Sequence, residues 1–210
     1  MFVDRVGAGV KLAEKLKEDW SASTQALVLA IPRGGVPIGK EISRALGLPL
    51  DCLVIKKIPA PQKEELAIGA VGEGGVVVWE EELLRRLRVP VQYRQEIVKQ
   101  KLTEFEKKEN DFRAGRAIPK IQGKTIIITD DGIATGATIK AAIATVRNFQ
   151  PKEIVVAVPV IAQEALMEIK QKADQVFYLE SPEMFFSVDQ FYEDFRQYTD
   201  EEIIAILEEP

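Results

Sequence analysis

The sequence predicts an α/β fold: a doubly wound, mostly parallel sheet flanked by helices. Three observations predict it. Short apolar runs, mostly rich in β-branched residues, recur at 27–31, 51–56, 125–129, 153–158 and 175–179, as expected of buried parallel strands. Stretches of helical periodicity at 36–46, 137–149 and 162–172 alternate with them, and such alternation with right-handed crossovers builds a doubly wound sheet. The chain of 210 residues is 46% hydrophobic and 29% charged, which suits one well-cored domain with peripheral elaboration.

Taken in order, Asp4 can cap a first helix over 5–20, with Val6, Val10, Ala13, Leu16 and Trp20 on its packing side. Residues 21–24 read as a loop before the first strand. Pro32, Arg33, Gly34 and Gly35 then form a tight turn into the helix 36–46, which stops at Gly47 and Pro49. A strand, two glycines and an arginine suit an anion site; the plainer reading is a strand–helix turn with an exposed arginine. Gly34, Gly39 and Lys40 nearly match a nucleotide-binding loop, but Glu41 stands where Ser or Thr must hold Mg²⁺, so Lys40 reads as a surface lysine.

The second strand, 51–56, ends at Lys56 and Lys57, which either meet an anion or are simply solvated. Pro59 and Pro61 predict a stiff loop, and 67–71 with 76–79 a hairpin around 72–75. Residues 80–116 are highly charged. After a break at Pro90, Tyr93, Ile97, Leu102 and Phe105 make one narrow apolar side, predicting a solvated helical arm or one that packs on a second subunit. The C-terminal segment carries Phe185, Phe186, Phe191, Tyr192, Phe195 and Tyr198, which no single helical face accommodates. It reads as a cap over the open end of the sheet, with a last helix from 200, or as rings placed against a flat ligand.

The chemistry concentrates in TIIITDDGIATGAT, 125–138. A buried strand ends in two carboxylates, Asp130 and Asp131, at the strand end where open α/β sheets collect ligands. Ala134, Thr135, Gly136, Ala137 and Thr138 follow as a small-residue turn opening a helix, whose free N–H groups and hydroxyls cradle a phosphate. Acceptor-only carboxylates beside it suit the cis-diol of a ribose. A plain helix cap with charged turn residues is the alternative, and it leaves the coordination of apolar run, acid pair and turn unexplained.

Composition narrows the field. The chain has no histidine, which excludes imidazole bases, Ser–His triads and most zinc designs. Cys52 is alone, so there is no internal disulfide or thiolate cluster. No apolar run is long enough to span a bilayer and no signal-peptide pattern opens the chain, so a cytoplasmic protein is expected. Residues 180–210 hold ten acids and one base, leaving 27 bases and 23 acids elsewhere. That excess favours a small anionic ligand; without a concentrated basic stripe, nucleic acid is not an expected partner.

The acid pair with its turn resembles the phosphoribosyl pyrophosphate (PRPP) motif of type I phosphoribosyltransferases: apolar residues 126–129, Asp130, Asp131, two variable residues and the turn 134–138. Ala134 departs from the Thr that many members carry, and Gly132 from a common aliphatic. Arg33, Gly34 and Gly35 are similar to the family's pyrophosphate loop. PRGG, ELAIGAV, FRAGR and FYEDF also look like a small bacterial group of such enzymes without an agreed acceptor.

The resemblance implies a single domain over 1–210, with a hood from 1–24 and 180–210 and an arm and lid within 80–120. It implies transfer of phosphoribose from PRPP to a nitrogenous base, with release of pyrophosphate. Asp130, Asp131, Arg33 and Lys57 would be catalytic, and Asp130 to Asp131 with Ala134 to Thr138 would hold ribose and 5-phosphate. Arg33, Gly34, Gly35, Lys56, Lys57, Arg113 and Arg116 would meet pyrophosphate. Phe185, Phe186, Phe191 and Tyr192 would face the acceptor. Mg²⁺ would bridge PRPP oxygens through water, with Asp130 and Asp131 as its protein contacts, and a homodimer is expected. Two rivals keep the motif: a regulatory PRPP sensor, and a PRPP-producing kinase, for which no ATP site is visible.

Overall fold

The computed structural model describes residues 1–20, 25–113 and 119–209, apart from the side chains of Glu64 and Glu65. In chain order its elements are α1 (Arg5–Asp19), β1 (Ala26–Ala30), α2 (Gly35–Leu46), β2 (Leu50–Cys52), β3 (Lys56–Ala60), β4 (Lys63–Gly72), β5 (Val76–Trp79), α3 (Glu81–Leu87), α4 (Val91–Arg113), β6 (Thr125–Thr129), α5 (Ala137–Arg147), β7 (Glu153–Val160), α6 (Gln163–Lys170), β8 (Gln175–Glu180) and α7 (Asp200–Glu208). The expected loop at 21–24 lies outside the described residues.

Five strands pair in the order β2-β1-β6-β7-β8, all parallel. Alternation along each strand sends its side chains to two cores. Ile127, with Val28 and Val155, packs under Leu12, Leu16, Ile38 and Ile42 of α1 and α2. Ile126 and Ile128 face the opposite layer, with Ile139, Ile143 and Val146 of α5 and Leu166 and Ile169 of α6. Burial on both faces is why these strands read as continuous apolar runs. This is the doubly wound architecture expected.

The phase of α1 differs from expectation. Val6 and Val10 are exposed, and the buried stripe is Arg5, Ala8, Gly9, Leu12, Ala13 and Leu16. Small residues decide it: a Cβ on Gly9 would sit 3.0 Å from the Ile38 backbone, so α1 and α2 touch along that stripe.

Between β2 and β6 the expected hairpin is present as β4 and β5, and part of the expected stiff loop supplies β3, making a second sheet, β3-β4-β5, antiparallel throughout. The run at 51–56 is interrupted after Cys52, and Lys56 and Lys57 begin β3. Pro59 is tolerated because β3 is an edge strand whose register shifts at that residue. The Tyr93 hydroxyl donates to the Pro59 carbonyl at 3.0 Å, tying α4 to this sheet.

The helical arm is not solvated on its apolar side. Phe105 and Phe112 of α4 are buried with Ile58, Ile68 and Val71 of the small sheet and Ile203 and Leu207 of α7. The homodimer expected from a free arm therefore draws no support from that face. Lys40 is also corrected: it is 9% exposed and donates to the Glu209 carbonyl at 2.8 Å, so it anchors the C-terminus of α7.

At the end of α4 lies a buried ion cluster. Arg113, 3% exposed, holds Asp51 at 2.7 Å, Glu73 at 2.9 Å and the Cys52 carbonyl at 3.0 Å. Burial pushes the Glu73 carboxyl up to about 8, against the opposing charge of Arg113. A folded value above the unfolded one means the folded state binds the proton more tightly. Glu73's contribution is thus complete below the unfolded value and lost as pH rises through about 8. Stability is expected to fall by roughly 3 kcal/mol more in the native chain than in Glu73→Gln between about pH 5 and 9. Urea melts at both pH values measure this, and equal pH slopes in the two chains would refute it.

Candidate active site

The acid pair emerges at the carboxyl end of β6, the middle strand of the sheet. Ile133 fixes the bend that follows: its amide donates to the Val160 carbonyl at 2.9 Å, and its carbonyl accepts from Ala162 at 2.8 Å. Gly132 explains its departure from the family pattern, because a Cβ there would lie 2.7 Å from Val188 of the C-terminal segment. Ala134 and Thr135 are exposed, and Gly136, at φ +74°, opens α5. The bend therefore opens to solvent at Ala134 and Thr135 beside a helix N-terminus, where an anion can be met, with the Ala137 amide donating to the Thr135 hydroxyl at 3.5 Å.

The turn after β1 arrives at the same place. The Ile31 amide donates to the Thr129 carbonyl at 2.9 Å, which sets the two strand ends side by side. A Cβ on Gly34 would stand 2.0 Å from Asp131 Oδ2, so the loop backbone lies directly against that carboxylate. Arg33 is half-exposed. Its Nη1 donates to the Tyr198 carbonyl at 2.9 Å, and its Nε lies 3.7 Å from Asp200 at the start of α7. The arginine of the loop is held by the C-terminal segment.

One residue that the sequence reading missed sits at the centre. Arg5, 4% exposed, donates to Asp131 Oδ2 from Nε at 2.9 Å and from Nη2 at 2.8 Å. Its Nη1 donates to the Arg196 carbonyl at 2.8 Å, and its guanidinium lies 3.8 Å from the Phe195 ring centroid. The signal was available: once α1 is phased on Ala8, Leu12 and Leu16, position 5 falls in the apolar stripe, where an arginine calls for a buried acid.

Tyr192 adds a second tie, its hydroxyl donating to the Asp131 carbonyl at 2.6 Å. The termini are knitted above the acids, with Phe2 bridging Tyr192 and the Glu193 amide donating to the Phe2 carbonyl at 2.8 Å. Phe185 packs on Phe191 with centroids 5.0 Å apart, whereas Phe186 is 80% exposed.

Burial raises both acids. At Asp130 the charge of Asp131 adds to it, whereas at Asp131 the guanidinium of Arg5 opposes it. A proton taken up by the pair therefore sits on Asp130 first, because Arg5 stands against Asp131. Asp130 Oδ1 accepts from the Asp131 amide at 2.9 Å, which leaves its other oxygen for a ligand.

Of the other expected site residues, one lies elsewhere. Arg113 was expected in a lid; it is instead locked in the buried cluster with Asp51 and Glu73, because three acids surround it at the end of α4. Arg116 lies outside the described residues. Lys56 and Lys57 start β3, and neither forms a side-chain hydrogen bond or ion pair with a described residue. The described residues contain no group of three or more acidic or sulfur ligands able to hold a metal by themselves. No described helix is long and apolar enough to cross a membrane.

Comparison with known proteins decides what this arrangement belongs to. Residues 6–196 match the family model described as the phosphoribosyl transferase domain. The chain is a member of the phosphoribosyltransferase family.

Two Mycobacterium tuberculosis proteins, from strains CDC 1551 / Oshkosh and H37Rv, are provisionally named phosphoribosyl transferases and are 37% identical to it over 208 residues. The match covers 99% of this phosphoribosyltransferase chain but 46% of each relative, so the chain spans about half the length of the relatives it matches. The crystal structure of TT1426 from Thermus thermophilus superposes with a TM-score of 0.87 at 38% identity, covering 99% of this chain and 97% of that one. AQ2163 from Aquifex aeolicus, at TM-score 0.55 and 14% identity, covers 87% of this chain and 77% of its own, and shares the fold alone.

Proposed function

We propose that this phosphoribosyltransferase moves a phosphoribosyl group from PRPP to a nitrogenous base or similar acceptor, releasing pyrophosphate. The observation that carries the reading is the contact of the Gly34 backbone with Asp131, which joins the Arg33-Gly34-Gly35 loop and the acid–turn motif into one site. In this reading the 5-phosphate is bound by the amides and hydroxyls of 134–138, and the ribose diol faces Asp130 and Asp131. Pyrophosphate lies along the Arg33 loop, with Arg33 exchanging its contacts to Tyr198 and Asp200 for the leaving group.

The chain's contribution is positioning and charge placement. A site holding both ends of PRPP fixes C1 for displacement, and the Arg5 contacts to Asp131 keep the diol-facing acids in place as positive charge develops on the ribose. The hard oxygen donors fit Mg²⁺ carried in with the substrate, since that ion keeps its waters and takes one or two carboxylates. The free Asp130 oxygen is its natural protein contact; when bound, the ion neutralises charge on the leaving pyrophosphate.

Calorimetric titration with PRPP and Mg²⁺, followed by a pyrophosphate-release assay across purine, pyrimidine and pyridine-carboxylate acceptors, tests the assignment. Binding with release identifies a transferase. Binding without release from any acceptor identifies a sensor on the same fold, and absence of binding ends the proposal. Asp130→Asn should weaken PRPP by about tenfold, the scale of one charge-assisted hydrogen-bonded contact, while moving the melting temperature little because Asp130 has no ion-pair partner among the described residues. Unchanged affinity would remove Asp130 from the diol site.

A further inference from the structure

A cavity of about 720 Å³ lies along the outer face of α5; it borders the phosphate turn at Thr135 and Ala137, but neither acid of the pair nor Arg33 lines it. The α5 wall is built from alanines, with Ala137, Ala141 and Ala144 one helical turn apart, so the helix backbone lies close to the open space. Facing it is Trp79 of β5. A Cβ on the cross-strand neighbour Gly69 would be 2.8 Å from the indole, so the ring covers that glycine and stays half-buried.

Charge is distributed unevenly around this apolar slot. Lys140 is paired with Glu168 at 2.7 Å, and Glu80, Glu82 and Arg86 stand on the α3 side, two acids against one base. At the α5–α6 end Arg147 and Lys172 come together, with Arg147 Nη2 donating to the Lys172 carbonyl at 3.1 Å. Arg147 also pairs with Asp174 at 2.8 Å, while the Lys172 ammonium has no ion pair with a described residue. The Glu168 carboxylate also feels the Lys172 charge, so the α5–α6 side carries Lys140, Arg147 and Lys172 against Glu168 and Asp174, three cations against two acids.

We propose that this cavity is a second small-molecule site, taking a flat aromatic monoanion of about two rings, its body on Trp79 and its acid group at Arg147 and Lys172. Pockets of this size enclose ligands of that class, with apolar walls supplying area and one polar corner supplying orientation. The site does not depend on PRPP being the substrate of the acid pair.

The test uses 2-naphthoate and its neutral isostere 2-naphthamide as probes on the full chain. The protein has two tryptophans, so a Trp20→Phe variant leaves the Trp79 indole N–H as a single NMR reporter. Saturable movement of that resonance by 2-naphthoate is expected, with the amide binding about tenfold more weakly and Lys172→Gln weakening the acid about fivefold. Ala144→Leu, which fills the α5 wall, should abolish the shift while the rest of the spectrum stays dispersed. Equal binding of acid and amide, a shift indifferent to Ala144→Leu, or no saturable shift would each overturn the proposal.

Discussion

Arg5→Gln is expected to cost about 3–5 kcal/mol of folding stability, the scale for breaking a buried ion pair on one side. For a chain of this size that lowers the melting temperature by about 10 °C. The reason is geometric: the guanidinium makes two contacts to Asp131 at 2.9 and 2.8 Å, one to the Arg196 carbonyl, and stacks on Phe195. Glutamine cannot serve these partners together, and Asp131 is left buried without its cation. Asp131→Asn should lose a similar amount by stranding Arg5, so that variant alone cannot separate folding from chemistry. The double variant Arg5→Gln/Asp131→Asn should lose clearly less than the sum of the two singles, because each has already removed the same pair. Additive losses in denaturant melts would show that the pair is not a coupled unit.

Gly34→Ala is expected to weaken PRPP with Mg²⁺ by about hundredfold, the penalty for displacing a reacting group by an ångström. Gly34 has φ −60° and ψ −34°, which alanine adopts without strain, so the effect comes from space alone. The new methyl would stand 2.0 Å from Asp131 Oδ2 and must push the loop and the acid apart. Stability should fall by about 1–3 kcal/mol, as for an overpacked core. Gly47→Ala is the control. It sits at φ +64° with nothing within 4 Å, so it costs about 1 kcal/mol of backbone strain and leaves PRPP affinity unchanged. Comparable affinity for PRPP in Gly34→Ala and the native chain, measured by calorimetry, would break the link between the loop and the acid pair.

The acid–turn motif was legible because all of it is local. Strand, acids and bend are contiguous in 125–138, and the bend conformation follows from residues within it. The parallel sheet was legible for the same reason, since strands buried on both faces announce themselves as unbroken apolar runs. The small sheet was less so. Its first strand carries two lysines and two prolines at or beside its ends and middle, and a bulged edge strand of that composition looks like a loop in one dimension.

Roles of charged residues were the least legible. Arg113 and Arg33 look alike in sequence, each beside a glycine or a short loop; one is sealed among Asp51, Glu73 and Glu109, the other half-exposed at the site. Apart from Glu109, one turn back on α4, nothing within a few residues of either distinguishes them, because their other partners lie on other elements.

By itself, the sequence determined the strands of the parallel sheet and that an acid pair and a small-residue bend share one strand end. Periodicity and turn chemistry act over neighbouring residues. Only the tertiary structure decided that Arg5, 126 residues away, neutralises Asp131, and that the C-terminal segment takes hold of Arg33. A buried charge accepts whichever counter-charge the packing of distant helices delivers, and that delivery has no local pattern to be read.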